Sequence, residues 1–316
     1  MKNFHIKKIS KIDKKKLIKF YENSFQYENS LIQNYNWRYR LNFNNLEPLI
    51  LMVEDQICGH AGLISINLKI KNKIEQAIWF TDLYISHKFR SKGFGKILTK
   101  EWMRMCPTQI TLCNDESLKI FKKLGWMNNN NFIRRIKICN YIRILPILRK
   151  TNKTFEKIET IDGLKIEDLN RKNISKIINL NEKKVSNKEV QIVRDEKWFR
   201  WRIEDCPYKK NLYILSSNEN FYIVNLKIKN NLKAINIIFS TNKIDERVVK
   251  LFKIFAKKNN FDYISYVSSE KKISDNFSPL QKNLNFAFNS NDKLISRLLD
   301  EKFDDIQLID SDIDYI

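Results

Sequence analysis

The stretch TDLYISHKFRSKGFGKIL, residues Thr81–Leu98, changes its hydrophobic pattern half-way along. Up to Ser86 it is rich in β-branched and aromatic residues, and successive side chains of such a strand point to opposite faces. From Gly93 the apolar residues recur at helical spacing as far as Met105. The sequence therefore predicts a strand, a basic turn that contains glycine, and an amphipathic helix, in that order.

The turn itself has the features of an anion site. Free N–H groups at a helix start attract negative charge, and the helix dipole adds to the attraction. Gly93 and Gly95 let a phosphate approach the backbone closely, and Arg90, Lys92 and Lys96 add positive charge. A strand-to-helix connection with solvated lysines has the same local pattern, so the turn alone leaves both interpretations open.

Two motifs around this turn resemble those of the GNAT acetyltransferases. The sequence RSKGFG at residues 90–95 resembles their R/Q-x-x-G-x-G/A pyrophosphate loop, which cradles acetyl-coenzyme A. The run from Asn114 to Trp126 resembles their second signature, N-x-x-A-x-x-x-Y-x-K-L-G-F. The resemblance covers roughly residues 10–145. A Rossmann fold is disfavoured because G-x-G-x-x-G and its downstream acidic residue are missing.

The resemblance implies where acetyl-coenzyme A would bind. It predicts a mixed sheet that is splayed at the fourth strand, with the pantetheine arm pairing with the backbone near two residues of that strand. The cofactor-binding residues that it implies are Leu83, Ile85, Arg90, Ser91, Lys92, Gly93, Phe94, Gly95, Lys96, Asn114, Ser117 and Phe121.

Two of these positions carry a second interpretation. Phe121 stands where the family often has a general-acid tyrosine, and a phenyl ring cannot give a proton to the leaving thiolate. Another group or solvent would then do so, or the first domain is not a standard enzyme. Asn114 fits a position that often contacts coenzyme A, and it is equally suited to cap the following helix.

The second half of the chain repeats the order of predicted elements. Trp37-Arg38 and Leu124-Gly125-Trp126 have counterparts in Trp201-Arg202 and Leu284-Asn285-Phe286, at nearly equal separations. Such offsets indicate a tandem duplication. With the resemblance, they predict an α/β (α+β) fold of two tandem GNAT-like domains, each a mixed, mostly antiparallel sheet flanked by helices. The predicted domains are residues 1–148, which bind acetyl-coenzyme A, and residues 149–316.

The second copy has lost the phosphate-binding loop. The corresponding segment, STNKIDER at residues 240–247, has no glycine and places Asp245 and Glu246 at the helix start. Two carboxylates there would repel a pyrophosphate. We expect this degenerate domain to complete the acceptor cleft and the whole chain to bind one acetyl-coenzyme A.

Asp82 and His60 are the candidate catalytic bases. Transfer to an amine needs a base within direct or one-water reach of the nitrogen. Apolar neighbours, Phe80 and Tyr84, are expected to raise the pKa of Asp82 towards a useful range. The alternatives are a hydrogen-bonded carboxylate at a strand irregularity for Asp82 and a satisfied core side chain for His60.

Aromatic and basic side chains next to each other suggest an acceptor site. Trp37, Arg38, Trp201 and Arg202 could stack on a sugar or nucleobase and engage a diphosphate, or they could pack helices together. The acidic C-terminal segment, residues 304–314, is expected to be a solvated tail.

Composition narrows the class of protein further. The chain of 316 residues carries a formal net charge of +22, which favours a polyanionic ligand. Most of the basic residues are lysines, so nucleic acid is not favoured. Five cysteines without a C-x-x-C pair suggest neither a disulfide framework nor a metal site. No signal peptide or membrane span is indicated, and we expect a cytoplasmic location.

These observations predict an acetyl-CoA-dependent bacterial N-acetyltransferase. The expected acceptor is a small-molecule amine, an amino sugar or nucleotide-sugar used in cell-envelope glycan synthesis, because the Trp-Arg segment resembles that of tandem GNAT proteins of bacterial surface-polysaccharide synthesis. The alternatives are a Fem-type peptidyltransferase that uses aminoacyl-tRNA and a non-catalytic coenzyme A-binding module. The sequence leaves open the acceptor, the choice between N- and O-transfer, and the oligomeric state.

Overall fold

The computed structural model describes residues 3–25, 29–39, 46–144, 154–155, 157–185, 188–269, 280–304 and 306–310. Within these residues, thirteen strands form a single mixed sheet. The strands are β1 Phe4–Lys8, β2 Leu49–Val53, β3 Gln56–Ile70, β4 Lys73–Ile85, β5 Thr108–Cys113, β6 Met127–Ile138, β7 Lys165–Glu167, β8 Val190–Ile192, β9 Leu212–Ser217, β10 Asn220–Lys229, β11 Leu232–Ser240, β12 Tyr263–Ser268 and β13 Leu280–Ser290. The helices are α1 Lys14–Ser24, α2 Asn29–Arg38, α3 Phe94–Met105, α4 Asp115–Lys123, α5 Tyr141–Ile144, α6 Arg171–Val185, α7 Glu196–Phe199, α8 Glu246–Lys258 and α9 Lys293–Glu301.

Both halves follow the same pairing plan. In the first half β2, β3 and β4 are antiparallel neighbours, and α3 leads to β5, which pairs parallel to β4. In the second half β9, β10 and β11 are antiparallel, and α8 leads to β12, which pairs parallel to β11. Every other pairing is antiparallel among the described strands. The predicted mixed, mostly antiparallel α/β architecture is confirmed.

The two halves exchange strands at the middle of the sheet. The order across this region is β5-β13-β6-β12, so the last strand of the chain lies between two strands of the first half. Phe286 on β13 is in register with Leu112 on β5, and Leu284 pairs with Phe132 on β6. In turn β6 pairs with β12 over Ile133–Ile138. Neither half therefore completes its sheet without a strand from the other.

Helices pack on apolar side chains of the sheet in both halves. In the first half α3 and α4 pack through Leu98, Trp102 and Phe121 on a buried layer that includes Phe80. In the second half α8 packs in the same way through Phe252 and its neighbours. The loop after β4 leads into the start of α3, and the loop after β11 leads into the start of α8.

Several predicted boundaries are wrong. The apolar pattern of residues 132–144 predicts a closing strand, but β6 begins earlier, at Met127, and ends at Ile138, after which α5 forms. The short strands β1, β7 and β8 and the helix α9 were not predicted. The sequence also predicts a linker over residues 146–154. This segment and the predicted boundary at 148 and 149 lie largely outside the described residues.

Candidate functional site

Strands β4 and β5 separate after a short stretch of pairing. Their register joins Ile78 to Gln109 and Trp79 to Ile110 and goes no further. The Thr111 hydroxyl still donates to the Phe80 carbonyl at 2.8 Å, but β4 then continues to Ile85 beside β3 alone. The result is an opening in the sheet at the expected strand.

The glycine-containing turn lies at the mouth of this opening. Gly93 is the N-cap residue of α3 and adopts φ 81°, a left-handed conformation that glycine reaches without strain. No side chain caps the helix, and no acidic residue lies in its first turn. A Cβ built on Gly93 would meet nothing within 4 Å. The helix N–H groups therefore face open space.

A cleft of about 570 Å³ extends from this turn along β4 to the start of α4. Sequence reasoning missed four of its lining residues, since no family motif marks them: Tyr84, Phe89, Glu116 and Ile120. Most of the predicted cofactor-binding residues line it: Leu83, Ile85, Arg90, Ser91, Gly93, Phe94, Gly95, Asn114 and Ser117.

Three predicted cofactor residues lie elsewhere. Lys92 extends over the ring of Phe89, with its ammonium 5.5 Å from the ring centroid, and Lys96 is exposed on α3. Phe121 is buried and stacks on Trp126 at a centroid distance of 4.5 Å. The structure therefore places the two lysines beside the cleft and the phenyl ring deeper than the cleft.

A smaller hollow of about 190 Å³ continues from the cleft into the opening between β4 and β5. Phe121, Asp82 and Cys113 line this hollow. Cleft and hollow share Leu83 and the start of α4, so they form one path from the turn into the sheet. We call the larger part the outer cleft and the smaller part the inner hollow.

Asn114 caps α4, as its alternative interpretation proposed. Its Oδ1 accepts a hydrogen bond from the Ser117 N–H at 2.8 Å. The cap fixes the first turn of α4, so that Asn114 and Ser117 both face the outer cleft and the inner hollow. A capping role and a ligand-facing position therefore coexist at this residue.

A β-bulge interrupts β4 at the inner hollow. Thr81 pairs with Gly62 and Tyr84 with His60, which leaves Asp82 and the residue after it opposite the single residue 61 of β3. Asp82 has φ 50°, a left-handed conformation that is uncommon for a residue with a side chain. The carbonyl of residue 61 accepts from the Trp102 indole at 3.1 Å instead of completing a regular ladder. Main-chain groups of β4 at the bulge are thus released from β3.

The Asp82 carboxylate is held by side chains of α2 and the residue that follows it. Arg38 donates to both carboxylate oxygens, at 2.9 and 2.7 Å, and the Tyr39 hydroxyl donates to Oδ2 at 2.8 Å. Burial alone raises the pKa of Asp82, but the Arg38 charge and these hydrogen bonds outweigh burial and hold the pKa below its ordinary value. The expected rise in this pKa was wrong, because the strongest neighbour is a cation and not an apolar ring.

His60 is completely buried behind the same bulge. Its Nδ1–H donates to the Asp82 carbonyl at 3.0 Å, which leaves Nε2 to accept from the Tyr21 hydroxyl at 3.2 Å. Burial lowers the pKa of His60 to about 4, so the imidazole is neutral near pH 7. With both nitrogens bonded and no exposed surface, His60 fits the core alternative. His60 lines neither the outer cleft nor the inner hollow.

A family comparison agrees with this geometry. Residues 13–126 match the model of the Acetyltransferase (GNAT) family, and both signature motifs fall inside the match. This part of the chain resembles a GNAT domain, and the protein is an acyltransferase. No curated protein matches the chain in sequence.

Solved structures resemble the chain well beyond the residues that match the family model. N-myristoyltransferase of Saccharomyces cerevisiae with bound myristoyl-CoA has a TM-score of 0.60 at 14% identity, over 92% of this chain and 83% of the other. GCN5-related N-acetyltransferases resemble it too: that of Kribbella flavida at TM-score 0.61 and 10% identity (91% and 72% covered), and that of Anabaena variabilis at 0.60 and 12% (90% and 72%). At these identities the likeness establishes the fold alone.

The Trp-Arg pairs join the first half of the chain to the second half. The Trp37 indole donates to the Trp201 carbonyl at 2.7 Å, and the Trp201 indole donates to the Trp37 carbonyl at the same distance. Arg202 is buried, with its guanidinium 4.0 Å from the centroid of the Trp201 ring. Arg38 is committed to Asp82. These four side chains were predicted to bind the acceptor. Contacts within the chain occupy them, which fits the alternative interpretation that they pack parts of the chain together.

The acidic C-terminal segment is partly buried, contrary to the expected solvated tail. Asp310 forms a bidentate pair with Arg194 at 2.8 and 2.5 Å, and both side chains are buried. Asp304 pairs with Lys188 at 2.7 Å. Asp305 and residues 311–316 lie outside the described residues. The segment therefore packs on the second half as far as Asp310.

Among the described residues, the start of α8 has no counterpart of the cleft seen at α3. The Asp245 carboxylate caps α8 by accepting from the Val248 N–H at 2.9 Å. A hollow of only about 60 Å³ lies beside it, lined by Lys243 and Asp304 among others. Among the described helices, none is long and apolar enough to cross a membrane.

Proposed function

We propose that the protein is an acetyl-CoA-dependent N-acetyltransferase that acts on the amine of an amino sugar, free or nucleotide-linked, in cell-envelope glycan synthesis. One observation carries the acetyl-CoA assignment. The glycine-capped start of α3 opens on a continuous path that ends between the separated strands β4 and β5. Such a path suits a ligand with a pyrophosphate at one end and a reactive group at the other.

The residues present fit acetyl-coenzyme A. The uncapped N–H groups after Gly93 and the guanidinium of Arg90 would hold the pyrophosphate, because both are donors beside the same cleft. The β4 backbone at Leu83 and Ile85 would hold the pantetheine arm. Gly95 leaves room for the ligand in the outer cleft. A Cβ at this position would lie 3.7 Å from the side chain of Ile120, which lines the same cleft.

Bound acetyl-coenzyme A would supply a thioester carbonyl to the inner hollow. The chain's part is to orient main-chain donors of the β4 bulge towards that oxygen, as preorganised donors do in acyl transfer. We assign Asp82 and His60 to holding this bulge. Arg38 bonds the carboxylate of Asp82, and His60 bonds the main-chain carbonyl of Asp82. They act as positioning residues, and deprotonation of the acceptor falls to water in the open cleft.

The second half supports this proposal through shared strands. We place the division into two tandem domains at residues 148 and 149, with β13 and β6 exchanged across it. The second half would complete the acceptor cleft without binding acetyl-coenzyme A, because Asp245 occupies its helix start. The net charge of +22 supports an acceptor that carries a nucleotide diphosphate.

Two measurements test the proposal. Calorimetry should show that acetyl-coenzyme A binds at about one molecule per chain. A screen for thiol release should then show turnover with nucleotide-linked amino sugars and not with amino acids or peptides. Binding of aminoacyl-tRNA in place of acetyl-coenzyme A would contradict the assignment. Binding without turnover on any amine would indicate a coenzyme A-binding module.

A further inference from the structure

Ser117 lies where the outer cleft meets the inner hollow. The two spaces share three lining residues: Leu83 from β4, and Asn114 and Ser117 from the start of α4. A ligand that runs from the turn at Gly93 into the opening of the sheet must pass between β4 and this turn of α4. Ser117 therefore faces the ligand at the junction.

The hydroxyl of Ser117 is available to a ligand. The Ser117 N–H donates to Asn114, whereas its Oγ makes no hydrogen bond to any residue in the described part of the chain. A helical serine often bonds back to the carbonyl of the preceding turn, and here it does not. The side chain is half-buried, so a partner in the cleft would be largely shielded from water.

Ser117 and Phe121 share one face of α4, because they are four residues apart. Both line the inner hollow. Phe121 offers no proton, because a phenyl ring carries no O–H or N–H group, and the ring is stacked on Trp126. Of these two side chains, only Ser117 can donate a hydrogen bond.

We propose that the Ser117 hydroxyl donates a hydrogen bond to the sulfur of coenzyme A as it leaves, which compensates for the phenyl ring at Phe121. This rests on the proposed function. In the transfer the amine nitrogen bonds to the carbonyl carbon, the C–S bond breaks, and sulfur takes the electron pair as a thiolate. The surplus proton of the amine passes to water. Ser117 keeps its proton and stabilises the anion, because hydrogen bonds to charged acceptors are stronger than neutral ones.

Other polar groups face the same junction. Arg90 and Glu116 line the outer cleft, and Asp82 lines the inner hollow with its charge already paired. The Cys113 thiol also lines the hollow, and burial raises its pKa to about 12. Cys113 is thus protonated near pH 7 and is the competing donor.

The test is the pKa of the coenzyme A thiol in its complex with the protein. Thiolate absorbance in the ultraviolet is followed against pH for wild type and Ser117→Ala, which needs no acceptor. We expect Ser117→Ala to raise the bound-thiol pKa by about one unit, the effect of losing one hydrogen bond to an anion. Ser117→Thr, which keeps a hydroxyl, should retain the wild-type value. Ser117→Ala combined with Phe121→Tyr should recover much of the shift.

The outcomes separate this inference from the proposed function. An unchanged thiol pKa in Ser117→Ala, with normal coenzyme A affinity by calorimetry, overturns the role of Ser117 and leaves the cofactor site intact. A shift in Cys113→Ala and none in Ser117→Ala assigns the hydrogen bond to the cysteine and also overturns it. Wild-type protein that does not bind coenzyme A sinks the proposed function and this inference together.

Discussion

The helix starts that follow β4 and β11 occupy equivalent places in the two halves and differ in how they are capped. At α3 a glycine at φ 81° leaves the N–H groups open beside a cleft of about 570 Å³. At α8 the Asp245 side chain accepts from one of those N–H groups, and the hollow beside it is about 60 Å³. The same pairing plan thus leaves an uncapped helix start in one half and a helix start capped by a carboxylate in the other.

Gly95→Val should produce the largest difference between the halves. A Cβ at Gly95 makes only ordinary contacts at 3.7 and 3.9 Å, so the fold should tolerate valine, whose methyl groups enter the cleft. We expect acetyl-coenzyme A binding to be lost in calorimetry. The matched control is Asn242→Ala beside the hollow of the second half, which should keep wild-type affinity. A stoichiometry near two, or unchanged affinity in folded Gly95→Val, would contradict the prediction that acetyl-coenzyme A binds only at the start of α3.

Buried ion pairs allow a second comparison. Asp82 pairs with Arg38 behind the inner hollow, and Asp310 pairs with Arg194 in the second half. Removing one partner of a buried pair leaves an uncompensated charge, so Asp82→Asn and Asp310→Asn should each lower the free energy of unfolding by about 3–5 kcal/mol. Urea unfolding measures this loss.

Activity then distinguishes the two ion pairs. Asp82→Asn should also lower turnover about 10²-fold, because the bulge shifts, while leaving the shape of the pH–rate profile unchanged. Asp310→Asn should keep turnover under conditions where it is folded. Loss of one limb of the pH–rate profile in Asp82→Asn would restore Asp82 as the general base.

The buried His60 of the first half should make the free energy of unfolding fall as the pH is lowered. Its pKa is about 4 when folded and about 6.5 when unfolded, so the unfolded state binds more protons between these values. The stability from neutral His60 is complete above pH 6.5 and is lost as pH falls towards 4, by about 3 kcal/mol in all. Urea unfolding from pH 7 to pH 4.5 should show this slope in wild type and in Asp310→Asn, and a flatter slope in His60→Gln. Equal slopes would mean that His60 is not buried.

The smallest expected effects come from the two caps themselves. Gly93→Ala forces a Cβ into a left-handed conformation at a cost of about 1–2 kcal/mol. Asp245→Ala removes a side-chain cap at a cost of about 1 kcal/mol. Thermal unfolding should show similar losses, yet only Gly93→Ala should weaken acetyl-coenzyme A binding. A new binding site in Asp245→Ala would show that the second half is closed by its cap alone.

The sequence determined the features that depend on neighbouring residues. The turn at Gly93, the amphipathic α3, the cap at Asn114 and the missing loop of the second half were all predicted, because each rests on residues within one or two turns of each other. The repeat of strands and helices was predicted for the same reason. One local prediction was wrong: the short apolar segment of residues 141–144 was predicted to end a strand, but it forms α5.

Only the tertiary structure decided which distant residues meet. The placement of β13 between β5 and β6 depends on backbone pairing between segments far apart in the chain, and the local pattern of β13 is the same beside any neighbour. Asp82 was predicted among apolar rings and instead lies against Arg38, which comes from a helix 44 residues earlier. Trp37 and Trp201 pair across 164 residues. Local sequence determines the type of each element and its caps. The packing of the two halves determines which distant side chains come into contact.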